Sequence, residues 1–295
     1  MSGQTIAIIA PGDMGHAVGG ALKEHGHRPI TCLAGRSERS RALAEAGGFD
    51  DTPDLAAMVA AADMVLSILP PAAAPKLADD IAEAMRAANS FPVYVDCNAI
   101  SPETAKAIGR VITDAGAAFI DAGIIGLAPG KATPRFYVSG DDTAPMEALD
   151  GCGFKVVPLD GEAGQASAIK MCYAALTKGT WTLHTALLLT AKVTGVYDPL
   201  IEEFRHSQSA DLERMEARVP RIPADSARWV GEMEEIARTF REAGVTGGFH
   251  DGAAAIFELL SRTPFAAETR ENMDTSRGLD ESLDVYVRHL DRPEN

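Results

Sequence analysis

Residues 5–37, TIAIIAPGDMGHAVGGALKEHGHRPITCLAGRS, constrain the fold more than any other stretch of the chain. An apolar run from Ile6 to Ala10 leads into a turn carrying Gly12 and Gly15, and Met14, Val18 and Leu22 then recur at helical spacing. After Gly26 a second apolar run, Ile30 to Leu33, ends in Gly35-Arg36-Ser37. Strand, turn, helix and strand within about thirty residues outline a mononucleotide-binding βαβ unit.

The turn has a physical purpose. A dinucleotide pyrophosphate rests against the first turn of such a helix, where unpaired N–H groups and the positive dipole end favour an anion. A side chain at Gly12 would stand in its way, and one at Gly15 would hold helix and strand apart. The run reads Ala10-Pro11-Gly12-Asp13-Met14-Gly15, so the first glycine of the usual G-x-G-x-x-G is replaced and the flanking strand and helix carry the reading. Gly12, Asp13, Met14 and Gly15 are then the residues around the pyrophosphate. The alternative is a turn whose glycines serve packing alone.

The end of the second strand selects the cofactor. NAD sites carry Asp or Glu there for the ribose 2′-hydroxyl, whereas an Arg accommodates a 2′-phosphate. This chain has Arg36 and Ser37, with Arg39 and Arg41 behind them, and no carboxylate. Arg36 has the planar fork to stack on adenine and reach a phosphate. NADP is therefore expected in preference to NAD; the other reading of these residues is a solvated helix start with Ser37 as N-cap.

A chain of 295 residues, 46% hydrophobic and 23% charged, suggests two domains or one large one. Its net charge of −15 argues against a nucleic-acid partner, so local donors must hold an anionic cofactor. Cys32, Cys97, Cys152 and Cys172 lie far apart and read as buried thiols of a reducing compartment rather than a disulfide set or zinc site. The chain opens with no basic-then-apolar leader, and no run approaches about eighteen uninterrupted apolar residues. The expectation is a cytoplasmic protein without a membrane partner.

Further along, helical and extended patterns alternate. A helix runs from Ser37 to Ala46, a short third strand falls at Gly47-Gly48-Phe49, and Pro53 begins a helix with Leu55, Met58, Val59 and Ala62 on its apolar side. Asp63 to Leu69 is a fourth strand stopped by Pro70-Pro71, 72–88 an alanine-rich helix, and Val93 to Asp96 a fifth strand. Ser101 and Pro102 suit the N-cap and first position of the next helix. A sixth strand, Ala117 to Asp121, leads to a loop at 122–130 whose Gly123, Gly126 and Gly130 permit close backbone approach to a small anion. Phe136 to Ser139 and Lys155 to Val157 complete the sheet.

Ligands of a doubly wound sheet lie at the C-terminal ends of its strands, which puts Leu69, Pro70 and Asn98 beside the cofactor. Asn98 stays open between binding the nicotinamide ribose or substrate and supporting its own loop. From about 163 to 194, Ile169, Tyr173, Leu176, Thr180, Leu183 and Leu187 recur at helical spacing, a helix of roughly 45 Å suited to linking two domains. Helical segments with breaks near 197–199, 220–223, 244–248 and 263–264 follow. The expected organisation is an α/β Rossmann domain over 1–160 and an all-α domain over 161–295, joined by that long helix.

Lys170 stands on the first turns of the long helix, near a domain junction where a cleft is expected. Oxidising an alcohol with a nicotinamide leaves the protein one task, removal of the hydroxyl proton. A lysine does this when desolvation lowers its pKa, and its ammonium returns the proton in the reverse direction. The ordinary alternative is a lysine paired with a carboxylate. Trp229, Met233, Ile236 and Phe240 recur at helical spacing and read as core or subunit interface. Glu232, Glu234 and Glu235 read as largely solvated, with Glu232 able to face the cleft. His184, His206 and His250 are isolated, and no metal site is expected.

Met14 before Gly15, Leu69-Pro70, the Asp96 to Pro102 loop, Asp121-Ala122-Gly123, and Gly164 six residues ahead of Lys170 follow one another in a single order. Together they resemble the β-hydroxyacid dehydrogenase family, which includes hydroxyisobutyrate dehydrogenase, tartronate semialdehyde reductase and 6-phosphogluconate dehydrogenase, over residues 4–195. The stretch Arg228 to Ala237 is similar to the C-terminal domain of a branch termed phosphogluconate dehydrogenase-like. The resemblance implies Lys170 as general acid/base, and Gly123, Ile124, Ile125 and Gly126 as the loop that binds a substrate carboxylate. It also implies a β-hydroxy acid or related small alcohol as substrate, and a homodimer in which the long helix packs into the partner's helical domain.

Three departures bear on the substrate. Ile125, Gly126 and Leu127 stand where the family has a serine and two glycines, Ala174 where an asparagine commonly follows the lysine, and Gly231 where a second lysine is usual. Each removes a polar partner for a hydroxy acid and points to a more apolar pocket, away from 6-phosphogluconate. Imine reductases share the architecture and often carry Asp or Tyr in the place of Lys170, so the lysine argues for alcohol chemistry. Imine reduction or reductive amination is the enzymatic alternative, and a non-catalytic NADP-binding sensor the other.

Overall fold

The computed structural model describes residues 3–270 and 272–291. One eight-stranded sheet, in the order β3-β2-β1-β4-β5-β6-β7-β8, organises the N-terminal part. Its strands are β1 (Thr5–Ile9), β2 (Arg28–Thr31), β3 (Asp50–Asp51), β4 (Met64–Ser67), β5 (Val93–Asp96), β6 (Phe119–Ile125), β7 (Arg135–Ser139) and β8 (Lys155–Pro158). Between them run α1 (Asp13–Glu24), α2 (Glu38–Ala46), α3 (Leu55–Ala61), α4 (Ala74–Ala88), α5 (Pro102–Ala115) and the single turn α6 (Ala144–Glu147). Pairing is parallel from β3 through β6; β7 runs antiparallel to β6, and β8 parallel to β7.

The alternation of β1 explains why it lies in the middle of this sheet. Ala7 and Ile9 enter one apolar layer with Met58, Val59 and Ile81, while Ile6 and Ile8 enter the opposite layer with Val18, Leu22 and Met64. Successive side chains of a strand point to opposite faces, and this one is apolar on both, as a strand covered by helices on each side must be. The strand order reverses between β1 and β4, so the crevice for a ligand opens at their C-terminal ends. The C-terminal ends of β5 and β6 share that edge.

The expected helix starts are found where small hydroxyl residues stand. Ser37 accepts from the Ser40 N–H at 3.3 Å ahead of α2, and Ser101 from the Thr104 N–H at 3.2 Å ahead of α5, where Pro102 takes the first position. Two strands differ from the sequence reading. The third lies at Asp50–Asp51, because Gly47 and Gly48, the latter with φ +67°, form the turn that closes α2. β6 continues past Asp121 to Ile125, because β7 pairs with it residue by residue from Asp121 opposite Ser139 to Ile125 opposite Arg135. Gly123, Ile124 and Ile125 are therefore strand, and the loop begins at Gly126, whose φ of +122° suits glycine.

A helix of 30 residues, α7 (Gln165–Thr194), follows β8. Two compact units divide the chain, Met1–Tyr173 and Ala174–Asn295, so the division falls inside α7 rather than at 160. The reason is that the first turns of α7 pack on β6: a Cβ at Gly123 would collide with the Ala166 carbonyl oxygen. Along α7, Tyr173, Leu176 and Leu183 of the apolar stripe are 49%, 71% and 63% exposed.

The second unit also contains α8 (Tyr197–Ser207), α9 (Ser209–Arg218), α10 (Pro223–Glu242), α11 (Gly248–Ser261) and α12 (Leu279–Val287), with no strand among the described residues. Trp229 centres its core, with the rings of Trp181 and Phe257 each 5.3 Å away. Met233 and Ile236 are buried one and two turns further along α10, and Phe240 is half-buried. Glu232 departs from the expectation of solvent: it is buried and paired with Lys178 at 2.7 Å. Cys172 departs from the expected buried thiols, being exposed, whereas Cys32, Cys97 and Cys152 are buried.

Candidate active site

The candidate site is assembled on the C-terminal edge of the sheet, within the first unit. Gly12 is the N-cap of α1 and offers no side chain to its first N–H groups; a Cβ built on it would meet no atom within 4 Å. At Gly15 the opposite holds, since a Cβ there would collide with the Ala10 carbonyl oxygen. One glycine leaves open space over a helix N-terminus and the other draws helix against strand. This cradle fits the pyrophosphate of a dinucleotide. Met14 is half-buried beside it, and Asp13, exposed at the first helical position, pairs with Arg39 at 2.6 Å.

That pair sorts the arginines after β2. Arg39 is engaged with Asp13, and the Arg41 guanidinium donates to the Leu33 carbonyl at 2.6 Å. Arg36 is half-exposed, and among the described residues no protein partner is seen for its guanidinium. Ser37, exposed, accepts from the Ser40 N–H as the N-cap of α2.

At the ends of β4 and β5, Asn98 occupies a buried network. Its Nδ2 donates to Ser67 Oγ at 2.8 Å and to Asp96 Oδ2 at 3.0 Å, its Oδ1 accepts from the Leu69 N–H at 2.7 Å, and its own N–H donates to Asp96 Oδ1 at 2.9 Å. The side chain thus ties the two strand ends together and sets the Leu69-Pro70 turn, with Leu69 half-buried and Pro70 exposed. Burial pushes the Asp96 carboxyl up to about 7, opposed by the two Asn98 hydrogen bonds.

Lys170 reaches this edge from α7. The half-buried side chain donates from Nζ to the carbonyl of Ile124 at 2.5 Å, near the C-terminal end of β6. Three strand spacings separate β1 from β6, about 14 Å across the edge from the phosphate turn. Gly123 lies beneath α7, Ile124 is buried, Ile125 half-buried, and Gly126 and Leu127 exposed. Neighbouring β6 residues carry the support: Asp121, wholly buried, accepts from Ser139, Gly164 and Ser167. Reasoning from sequence assigned no role to Ser67, Ser139 or Ser167, although small polar residues at strand ends and three positions after a helix-starting glycine are a signal for such bonds.

Residues 5–150 match the family described as the NAD binding domain of 6-phosphogluconate dehydrogenase, and residues 191–260 match a domain of unknown function, DUF1932. The mitochondrial 3-hydroxyisobutyrate dehydrogenase of Drosophila melanogaster is 28% identical over 176 residues, 57% of this chain and 52% of that enzyme. Among solved structures, a conserved protein of unknown function with structural similarity to 3-hydroxyacid dehydrogenases is 26% identical, with a TM-score of 0.65 over 87% of this chain and 96% of that one. The chain belongs to the β-hydroxyacid dehydrogenase family.

Membership supports an NAD(P)-dependent oxidoreductase acting on CH–OH groups. The fold extends over the whole length of the Mycobacterium tuberculosis 3-hydroxyisobutyrate dehydrogenase, solved with L-serine, at 19% identity and a TM-score of 0.66 over 98% of this chain and 100% of that one. In this family member, no group of His, Cys, Asp and Glu among the described residues could hold a metal ion. Among those residues, no helix is long and apolar enough to cross a membrane.

Proposed function

We propose that this protein is an NADP-dependent dehydrogenase that interconverts a β-hydroxy acid, or a related small alcohol, and its oxo form, with Lys170 as the general acid/base. The observation that carries the reading is the Lys170 ammonium at the C-terminal end of β6, donating to a backbone carbonyl on the same edge as the phosphate turn. The carbonyl holds the nitrogen at that strand end, so a substrate hydroxyl placed there can give up or receive a proton. NADP, when bound, supplies the hydride acceptor.

In this reading Gly12, Asp13, Met14 and Gly15 hold the pyrophosphate, and Arg36 with Ser37 the 2′-phosphate. Leu69 and Pro70 border the nicotinamide half, with Asn98 fixing their turn from below. Gly123, Ile124, Ile125 and Gly126 flank the substrate carboxylate. Ile125 and Leu127 put apolar surface beside that strand end, which favours a substrate with an alkyl substituent over a sugar acid. The exposed stripe of Tyr173, Leu176 and Leu183 supports a homodimer built on α7, since a row of large apolar side chains of this kind marks an interaction face. Four free cysteines suit a reducing cytoplasm.

The test is a panel of short hydroxy acids, their oxo acids and cyclic imines, followed by the absorbance of the reduced cofactor with NADP and with NAD. Turnover of an alkyl hydroxy acid with preference for NADP is expected. Oxidation of NADPH by imines with none by oxo acids would replace alcohol chemistry with imine reduction. Tight NADPH binding without turnover on any of them would make the protein a sensor.

A further inference from the structure

Among the described residues, the side chains seen to take the first N–H groups of α7 come from β6 and β7. Gly164, which precedes the helix, has φ +105° and no side chain, yet Ala166 and Ser167 are 0% exposed. The first N–H groups of a helix lack intrahelical partners, and burial makes each of them costly to leave unpaired. Here the N–H groups of Gly164 and Ser167 donate to Asp121 Oδ2, at 2.8 and 2.9 Å. The Ala166 N–H donates to Ser139 Oγ at 3.0 Å, and that hydroxyl donates onward to Asp121 Oδ2 at 3.1 Å. Ser167 Oγ donates to Asp121 Oδ1 at 2.6 Å, and the Gln165 N–H reaches the Glu162 carbonyl at 3.3 Å. A carboxylate on β6, 43 residues before Gly164, has taken the place of an N-cap.

The same strand meets α7 at two further points. Gly123 allows the close approach, for a Cβ there would collide with the Ala166 carbonyl and lie 3.0 Å from Lys170 Cβ. Ile124 accepts from Lys170 Nζ. Along one strand, Asp121, Gly123 and Ile124 set where the helix begins, how near it lies and where its lysine ends.

We propose that Asp121 is a positioning residue for the reaction: with Ser139 and Ser167 it seats the first turn of α7 on β6 and so fixes Lys170 at the strand's C-terminal end. The proposal rests on the reading of Lys170 as general acid/base. As a carboxylate, Asp121 accepts all four bonds directed at it; burial pushes its pKa up and these bonds oppose that rise. Its negative charge also lies at the positive end of α7.

Asp121→Asn keeps the shape but replaces one accepting oxygen by a donor. Three results are expected: faster amide exchange at Gly164, Ala166 and Ser167, a kcat lower by about ten- to a hundredfold, and NADPH affinity within about twofold of wild type. Should Asp121→Asn not fold, Ser139 decides. Ser139→Ala lowers kcat by about three- to tenfold at unchanged NADPH affinity, and Ser139→Thr, which keeps the hydroxyl on a strand that suits β-branched residues, restores it.

A folded Asp121→Asn with kcat within about twofold of wild type, or with kcat and NADPH affinity lowered alike, overturns the proposal. So does a Ser139→Ala variant with wild-type kcat, or one whose loss Ser139→Thr fails to restore. Lys170→Ala, measured in parallel, separates the two claims. If it retains kcat, the reading of Lys170 falls and the positioning role with it. If it is inactive while Asp121→Asn and Ser139→Ala turn over like wild type, only the positioning role is lost.

Discussion

Replacing Arg36 by alanine tests the choice between the two nicotinamide cofactors at the residue on which it depends. Arg39 is paired with Asp13 and Arg41 with the Leu33 carbonyl, whereas Arg36 is half-exposed beside the end of β2. Its removal therefore breaks no ion pair seen in the protein, and the loss falls on the ligand. A hydrogen bond to a charged group is worth about 1.5–3 kcal/mol, or about 10- to 160-fold in affinity, and solvent screening at a half-exposed site favours the lower end. Fluorescence titration should show the Kd for NADPH rising by about tenfold or more while that for NADH stays within about twofold. Arg39→Ala is the control. It removes the cation paired with Asp13 at the phosphate turn and should weaken NADPH and NADH alike, by about two- to fivefold. Equal weakening of both cofactors in Arg36→Ala, or none, would refute the assignment of Arg36 to the 2′-phosphate.

Three other outcomes follow from the geometry. Lys178 and Glu232 form an ion pair with side chains only 10% and 11% exposed, so Glu232→Gln should destabilise the helical unit by about 3–5 kcal/mol; the double variant Lys178→Met/Glu232→Leu should come back close to wild type, as read by thermal unfolding. Asp96, pushed up to about 7 when folded, binds its proton more tightly in the folded than in the unfolded chain, so it contributes stability below about pH 4 that is lost as pH rises through about 7; the melting temperature of Asp96→Asn should lack that decline. Leu183→Glu places a charge on the exposed stripe of α7 and should turn a dimer into a monomer in light scattering at unchanged helicity, whereas a dimer that survives would move the interface elsewhere.

The parts of this fold legible in the sequence are those specified by neighbours in the chain. The period-2 alternation of Ile6 to Ile9, the helical spacing of Val18 and Leu22, and the hydroxyl caps Ser37 and Ser101 each need only a few residues of context. What escaped reading depends on distant partners. Gly123 looked like loop because glycine weakens a strand, but pairing with β7 keeps it in the ladder. Glu232 looked solvated because its cation, Lys178, lies on another helix. Asn98 allowed two readings, and Ser67, Asp96 and Leu69 occupy its amide in the manner of a loop support. The start of α7 shows the limit most plainly: Gly164 marks it, while the carboxylate that caps it belongs to β6. The glycine turn before α1 was legible because it is local, and the carbonyl that accepts from Lys170 was not, because it lies 46 residues before the lysine.

The most direct measurement is the rate of NADPH oxidation by Lys170→Ala on the best oxo acid of the panel, across pH, beside the Kd of that variant for NADPH. With Lys170 as the general acid, kcat should fall by about a hundred- to ten-thousandfold, the pH limb of the wild-type profile should vanish, and cofactor affinity should stay within about twofold. A folded variant that turns over near the wild-type rate, with the limb still in place, would contradict the account at its centre.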